Sequence, residues 1–359
     1  MIISESHLLN DLNHYFNEIK KPNSNLKNIK IKDETIYELA DPFLILHTGK
    51  IYCFYELFTD KRKIIAASVI SNNLEQTFIG PVLDLSNEGL KVSYPNIYLS
   101  EDCSKYFMIP EIQKNTGYHE NFLFETSFDN FPFGWTQSNK IKFPKKEYRL
   151  ITDKSFIIKD NIFYLFCCHG YSRNNELRLY YSMDEKFENI IEHPSSPLIK
   201  LSESKKFKYL FFILRLLTIM RKKFYFDLEK FKLFKRILNL FSKDILYHPT
   251  RPGGNIQNIA KDVIPLQDTG SKILGYDIRN YYGKKLSALK INQIDTKKIT
   301  FSIYKNLLKP NKKVKWKMDR THHLSAIKLN DYLYFAVDGS SKKIDGHLNW
   351  QISLFKQKI

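Results

Sequence analysis

Two acids, a tyrosine, an arginine and a histidine pair occupy matching places in a pattern that recurs five times along this 359-residue chain. Asp41 sits in Ala40-Asp41-Pro42, Tyr94 in Ser93-Tyr94-Pro95-Asn96 and Asp153 in Thr152-Asp153-Lys154-Ser155. Arg251 opens Arg251-Pro252-Gly253-Gly254, and the last copy is Thr321-His322-His323-Leu324-Ser325. Each cluster precedes, by about ten residues, an aromatic β-type run, at 51–56, 106–111, 163–167, 263–268 and 332–338. Several runs end in a polar group: Glu56, Glu111, and Gln267 with Asp268. Carboxyls gathered this way can do acid–base work if burial or a like-charged neighbour keeps one protonated while another ionises. Asp41 and Glu111 are the leading pair, and Pro110-Glu111 at a strand end would fix the second carboxylate's direction. Asp153 is a third acid, placed to raise a neighbour's pKa or to orient hydroxyls. For any one of them the plainer role is a turn-capping Asp or a solvated strand-end Glu.

Arg251 can grip a phosphate or carboxylate through two parallel hydrogen bonds. The absent side chains of Gly253 and Gly254 would let backbone and ligand approach closely. The alternative is a structural arginine paired with Asp41 or Asp268. Strand alternation sends one ring of His322-His323 towards the axis and the other into its sheet. The axial ring would bind hydroxyls or orient Asp41. No third ligand is spaced for a tetrahedral metal site, so no metal and no other cofactor is expected. Gln267 and Asn255 add mixed donors and acceptors, while Tyr94 and Trp135 offer stacking faces or core packing.

Units of this length with several strands each predict an all-β, five-bladed propeller over 37–359. Each polar cluster then lies at the axial end of an innermost strand, and the five ends converge on one pocket. Segments 64–70 and 177–182 read as second or third strands of their units. Leu8, Leu9, Leu12, Tyr15, Phe16 and Ile19 have helical spacing, so residues 1–36 form an N-terminal helix and linker. The third gap between clusters is 98 residues, against 53, 58 and 72 for the others.

That excess is a basic helical insert at 204–243. Residues 203–243 hold twelve Lys or Arg against three Asp or Glu, half of the net charge of +18. With the excess so concentrated and no recognition motif beside it, nucleic acid is not the expected partner. The apolar run with Phe211 and Phe212 is too short to span a bilayer. After Arg221, Lys222 and Lys223, an amphipathic stretch sets Phe231 and Phe234 against Lys235 and Arg236. These residues suit an anionic membrane surface, with packing on the propeller or on a second subunit as the alternative. The four cysteines lack metal spacing and read as reduced core thiols. The first residues lack a signal peptide's basic start and apolar core, so a cytoplasmic location is expected, peripheral at the membrane's inner face.

The ordered motifs resemble the N-terminal domain of plant glucosamine inositolphosphorylceramide transferases and its bacterial relatives, over about residues 37 to 340. They are Leu39-Ala40-Asp41-Pro42-Phe43 with Phe54-Tyr55-Glu56, and Ser93-Tyr94-Pro95 with Met108-Ile109-Pro110-Glu111. Phe131-Pro132 with Trp135, His193-Pro194 with Pro197, and Arg251-Pro252-Gly253-Gly254 follow. Pro265-Leu266-Gln267-Asp268 and His322-His323-Leu324 with Val337-Asp338-Gly339 complete the set. That domain is similar to the propellers of glycoside hydrolase families 43, 32 and 68. There an Asp of the first blade acts as base or nucleophile and a Glu of a later blade as acid; the resemblance carries the first role to Asp41 by motif, and Glu111 is the best candidate for the second. The resemblance implies a carbohydrate or sugar-phosphate substrate. The expected activity is glycosyl transfer to a lipid-linked acceptor in surface-glycan assembly. The alternatives are hydrolysis by the same acids, or a sugar-binding scaffold for a partner glycosyltransferase.

Overall fold

The computed structural model describes residues 5–27, 29–115, 119–144, 151–170, 176–200, 212, 249–256, 258–268, 272–273, 276–277, 285–309, 311, 313–314, 320–344 and 347–359. Their strands form the expected five-bladed propeller, each blade an antiparallel sheet built outward from the axis. Blade I runs Ile36–His47, Lys50–Thr59, Lys63–Ile70 and Gln76–Leu83. Blade II runs Leu90–Leu99, Lys105–Lys114, Phe122–Ser127 and Thr136–Lys140, with His119–Glu120 added beside its second strand. Blade III runs Ile151–Lys159, Ile162–His169 and Glu176–Ser182, edged by the short pieces Ile191–Glu192 and Ile199–Lys200. Blade IV runs Pro249–Pro252, Val263–Asp268, Leu286–Ile294 and Ile299–Leu308. Blade V runs Arg320–Leu329, Tyr332–Ile344 and His347–Lys358, and its outer strand is Ser24–Asn25 from the N-terminal segment.

Every blade lies between two others, so its inner strands are buried on both faces and read as near-continuous apolar runs. The core divides accordingly into five clusters, each between adjacent blades. Phe43, Phe54 and Met108 join blades I and II, and Leu165 with Phe107 joins II and III. The N-terminal helix, Glu5–Glu18, fills the wedge between blades IV and V. Its Phe16 ring stands 5.2 Å from Phe335 and 5.5 Å from Phe355. Burying a side chain of this size stabilises by about 1.5–3 kcal/mol, which is why a short helix holds here.

A β-bulge interrupts the head of every inner strand, and the five bulges coincide with the five polar clusters. Pairing skips between Ala40 and Phe43, Ser93 and Asn96, Thr152 and Lys154, Pro249 and Arg251, and Thr321 and Leu324. A bulge removes a residue from the ladder and re-aims its side chain. Asp41, Tyr94 and Asp153 adopt left-handed backbone at these points, with φ of 50°, 54° and 43°. Such a conformation costs a non-glycine residue on the order of 1–3 kcal/mol and persists where surrounding structure enforces it.

Lys200 pairs with Glu176, which faces His169 and so the start of blade III's inner strand; Pro249 opens that of blade IV. The insert's two flanks therefore stand on the same face as the bulges. Of the insert residues, Phe212 is 61% exposed. Phe211, Arg221, Lys222, Lys223, Phe231, Phe234, Lys235 and Arg236 lie outside the described residues. Among the described residues no helix is long and apolar enough to cross a membrane.

Candidate active site

Blades I and V meet at Asp41. Its Oδ1 lies 3.5 Å from Nδ1 of His322 and 3.5 Å from Nδ1 of His323. The alternation expected of the two rings is absent because the bulge takes both residues out of the ladder and turns both imidazoles to one carboxylate. Beneath them Asp338 is fully buried and accepts three backbone N–H groups. Its Oδ1 takes those of His322 at 3.2 Å and His323 at 2.7 Å, and its Oδ2 takes that of Asp41 at 3.1 Å. Asp338 thus fixes two bulges at once, a role the sequence pattern did not give it although it ends the fifth aromatic run. Asp41, His322 and Asp338 also present ligand atoms within 4.8 Å of one another, a set able to hold a cation. The expectation of no metal rested on finding no third ligand in sequence; the fold supplies Asp338.

Asp153 and Arg251 form the second constellation. Nε and Nη2 of Arg251 donate to the two Asp153 oxygens at 2.7 and 2.8 Å, a bidentate pair joining blades III and IV. Asp153 is therefore a structural partner of Arg251 beyond the two expected from the sequence. Thr152 Oγ1 and Gln267 Nε2 also donate to Asp153, at 2.8 and 3.4 Å. Gln267 further holds the Pro252 carbonyl at 3.1 Å.

Glu111 faces the same pocket from blade II. Its strand continues to Lys114, so Pro110-Glu111 lies inside a strand and not at its end. Its Oε1 stands 3.2 Å from Nδ1 of His119, a buried histidine the sequence pattern overlooked. Glu56 pairs with Lys63 at 2.8 Å. Lys63 opens the third strand of blade I and also feels the charges of Glu111 and Asp41, so it belongs to the pocket. Buried Lys154 borders the site as well, its Nζ 3.5 Å from the Pro110 carbonyl.

These surroundings push the carboxyls apart. Burial raises Asp41, but hydrogen bonding and charge from His322 and His323 outweigh it and hold the carboxyl well below its usual range. Asp153 is also held low, because Arg251 and Thr152 overcome its burial. Glu111 goes the other way, to about 7, through burial and then the negative charge of Asp153. Glu56 rises to about 8, by burial first, with Lys63 opposing and Asp41 and Glu111 adding. His119 falls to about 4, by burial and then the charge of Lys154. Near neutrality the pocket therefore offers two ionised carboxylates, Asp41 and Asp153, beside Glu111 and Glu56, which hold their protons more tightly.

Not every expected site residue arrives here. Tyr94 is buried against Phe43 and His323 at ring distances of 5.4 and 5.2 Å, and its hydroxyl accepts the Gly254 N–H at 3.3 Å. It is a wall and not a stacking face. The space at Gly253 and Gly254 is taken by blade V. A Cβ on Gly253 would stand 2.9 Å from the His322 carbonyl oxygen, and one on Gly254 1.9 Å from that of Leu324. Asn255 continues in parallel beside Ser325 and lines a cavity at the opposite end of the axis. Asp268 ends its strand opposite Pro249, its side chain outside the described residues. Trp135 lies at the outer edge of blade II, donating to the Pro132 carbonyl at 2.7 Å. An aromatic that reaches the pocket from blade V is Trp350, 5.1 Å from the His322 ring. Trp350 and Tyr37 line an adjoining cleft of about 220 Å3.

The model of the family described as glucosamine inositolphosphorylceramide transferase 1, N-terminal, matches residues 28–208, half of the chain. The chain belongs to this family. No protein of curated function matches it in sequence. Among solved structures, family membership is joined by likeness of fold. A glycosyl hydrolase from Bacteroides ovatus superposes with a TM-score of 0.57 at 12% identity, covering 93% of this chain and 92% of its own. A structure from the GH130 family of mannoside phosphorylases gives 0.55 at 12% identity, with coverages of 93% and 92%. That family is described as containing glycoside hydrolases that target beta-1,2 mannosidic linkages in Candida mannan. A thermostable family-43 glycoside hydrolase gives 0.53 at 10% identity, with coverages of 92% and 91%. With each of these structures the likeness is one of fold, over more than nine tenths of both chains.

Proposed function

We propose that the chain is a carbohydrate-active enzyme that transfers a glycosyl group to a hydroxyl acceptor, with Glu111 as acid and Asp41 as base. The opposed ionisation of these two carboxyls carries the reading. Glu111 gives its proton to the leaving-group oxygen as the anomeric bond breaks. Asp41 takes the proton of the acceptor hydroxyl as its oxygen bonds to the anomeric carbon. His322 and His323 keep Asp41 ionised, and the cleft beside Trp350 offers an aromatic face to an adjoining sugar ring. The family's description as a transferase supports transfer, with a sugar-phosphate donor and a lipid-linked acceptor. The insert's flanks on the pocket face support work as a peripheral protein at the cytoplasmic side of a membrane, beside a partner glycosyltransferase.

Hydrolysis is the second reading, and one observation favours it. The guanidinium proposed to grip a donor phosphate is already held by Asp153 on two of its nitrogens. The test is incubation of the purified protein with nucleotide sugars and lipid-linked acceptors, in parallel with aryl glycosides in water. Transfer predicts acceptor-dependent product, and Asp41→Asn or Glu111→Gln lowers turnover by about 10²–10⁴-fold. Product release without acceptor indicates hydrolysis. Saturable sugar binding with no turnover, unchanged in both variants, would reject enzymatic action.

A further inference from the structure

The inner strands that begin at the acid pocket end at a second mouth on the other face, around a cavity of about 440 Å3. Its rim repeats the blade pattern. Leu46, Leu99, Ile158 and Lys328 each stand five residues beyond Asp41, Tyr94, Asp153 and His323. The three aliphatic members are 38%, 36% and 44% exposed, although they face one another across a concave opening. Ile45, Ile97, Phe156 and Ile327 continue the wall inward.

The tyrosines of this mouth spend their hydroxyls elsewhere. Tyr98 donates to the Glu185 carbonyl at 2.6 Å, and Tyr106 pairs with His47 Nδ1 at 3.0 Å. The polar groups left at the opening include Lys328 and Asn258. Among the described residues no Asp or Glu lines the cavity and Lys328 has no carboxylate partner.

We propose that this mouth binds a single-chain amphiphile, its alkyl chain entering among Leu46, Leu99 and Ile158 and its anionic head resting on Lys328 and Asn258. Half-exposed aliphatic groups that converge on a concave opening suit an alkyl chain, whereas a flat protein face would leave the hole unfilled. One uncompensated cation at the rim selects a head of opposite sign. The cavity lies outside the acid pocket, so the proposal stands whether or not the reaction proposed above is correct.

The test is calorimetric titration of the full chain with alkyl phosphates of eight, ten and twelve carbons, kept below their micelle-forming concentrations. One molecule should bind per chain, weakening roughly tenfold for every two methylenes removed. Leu99→Asp should weaken dodecyl phosphate by at least about tenfold. Lys328→Glu, an exposed change that leaves the fold intact, should weaken dodecyl phosphate while leaving uncharged dodecanol within about twofold. Absence of saturable binding, indifference to chain length, or unchanged affinity in both variants overturns the proposal. So does association with anionic vesicles alone, sensitive to Lys328→Glu, since that marks a membrane surface and not a site for one chain.

Discussion

The two mouths of the propeller are built from the same inner strands, yet one gathers ionisable groups and the other aliphatic ones. At the first, bulges lift Asp41, Tyr94, Asp153 and the His322-His323 pair out of the ladders. At the second the ladders are regular, and alternation presents Leu46, Leu99 and Ile158. The difference is one of backbone before it is one of side chains. A regular strand end offers every second residue to the axis, whereas a bulge can offer two neighbours to one point, as with the histidines at Asp41.

Substitution at matched positions tests this contrast most severely. Asp41→Asn should cost about 10³-fold in turnover, while Leu46→Asn, five residues along the same strand, leaves turnover unchanged. Steady-state assay of both variants decides it. Next in size is the anchor of the bulged end. Asp338→Ala strands three buried N–H groups and should lower stability by about 3–5 kcal/mol in denaturant titration.

The mouths should also part on a pH scale. Glu111 and Glu56 hold protons to about 7 and about 8, above the range of an unfolded glutamate. The folded state therefore binds protons that the unfolded chain has released, so their contribution is complete below about pH 4 and is lost as pH rises through 7 and 8. Melting temperature should fall across that window, and Glu111→Gln with Glu56→Gln should flatten the fall. Activity that needs protonated Glu111 declines above about pH 7 in the same window. The smallest effect belongs to the aliphatic rim, where Ile158→Ser should shift stability within about 0.5 kcal/mol.

The blade count and the convergence of polar clusters were legible because both follow from repetition. Glu111, Asp41 and Asp153 could be singled out because each cluster or run ends in a group of unusual type for its strand. Partners between blades were not legible. Arg251 meets Asp153 across 98 residues of sequence, and Asp338 acts through backbone atoms that no motif records. Asn255 is expected in the pocket as a mixed donor and acceptor. The parallel pairing of Gly254 with Leu324 and Asn255 with Ser325 instead carries the chain down the axis, away from the acids. Trp350 escaped notice because it lies on the third strand of its blade, beyond the cluster and the run that define the repeat.

The position of Asp338 has one more consequence. It ties the N–H of Asp41 in the first blade to those of the two histidines in the last, at the place where the ring of blades is closed. The proposed base therefore sits on the circular molecule's seam, stitched again where the Leu44 N–H donates to Ser325 Oγ at 2.9 Å. Anything that loosens the first blade from the last disturbs the ionised carboxylate before any blade comes apart. The chemistry of this pocket is in effect a gauge of whether the ring is shut.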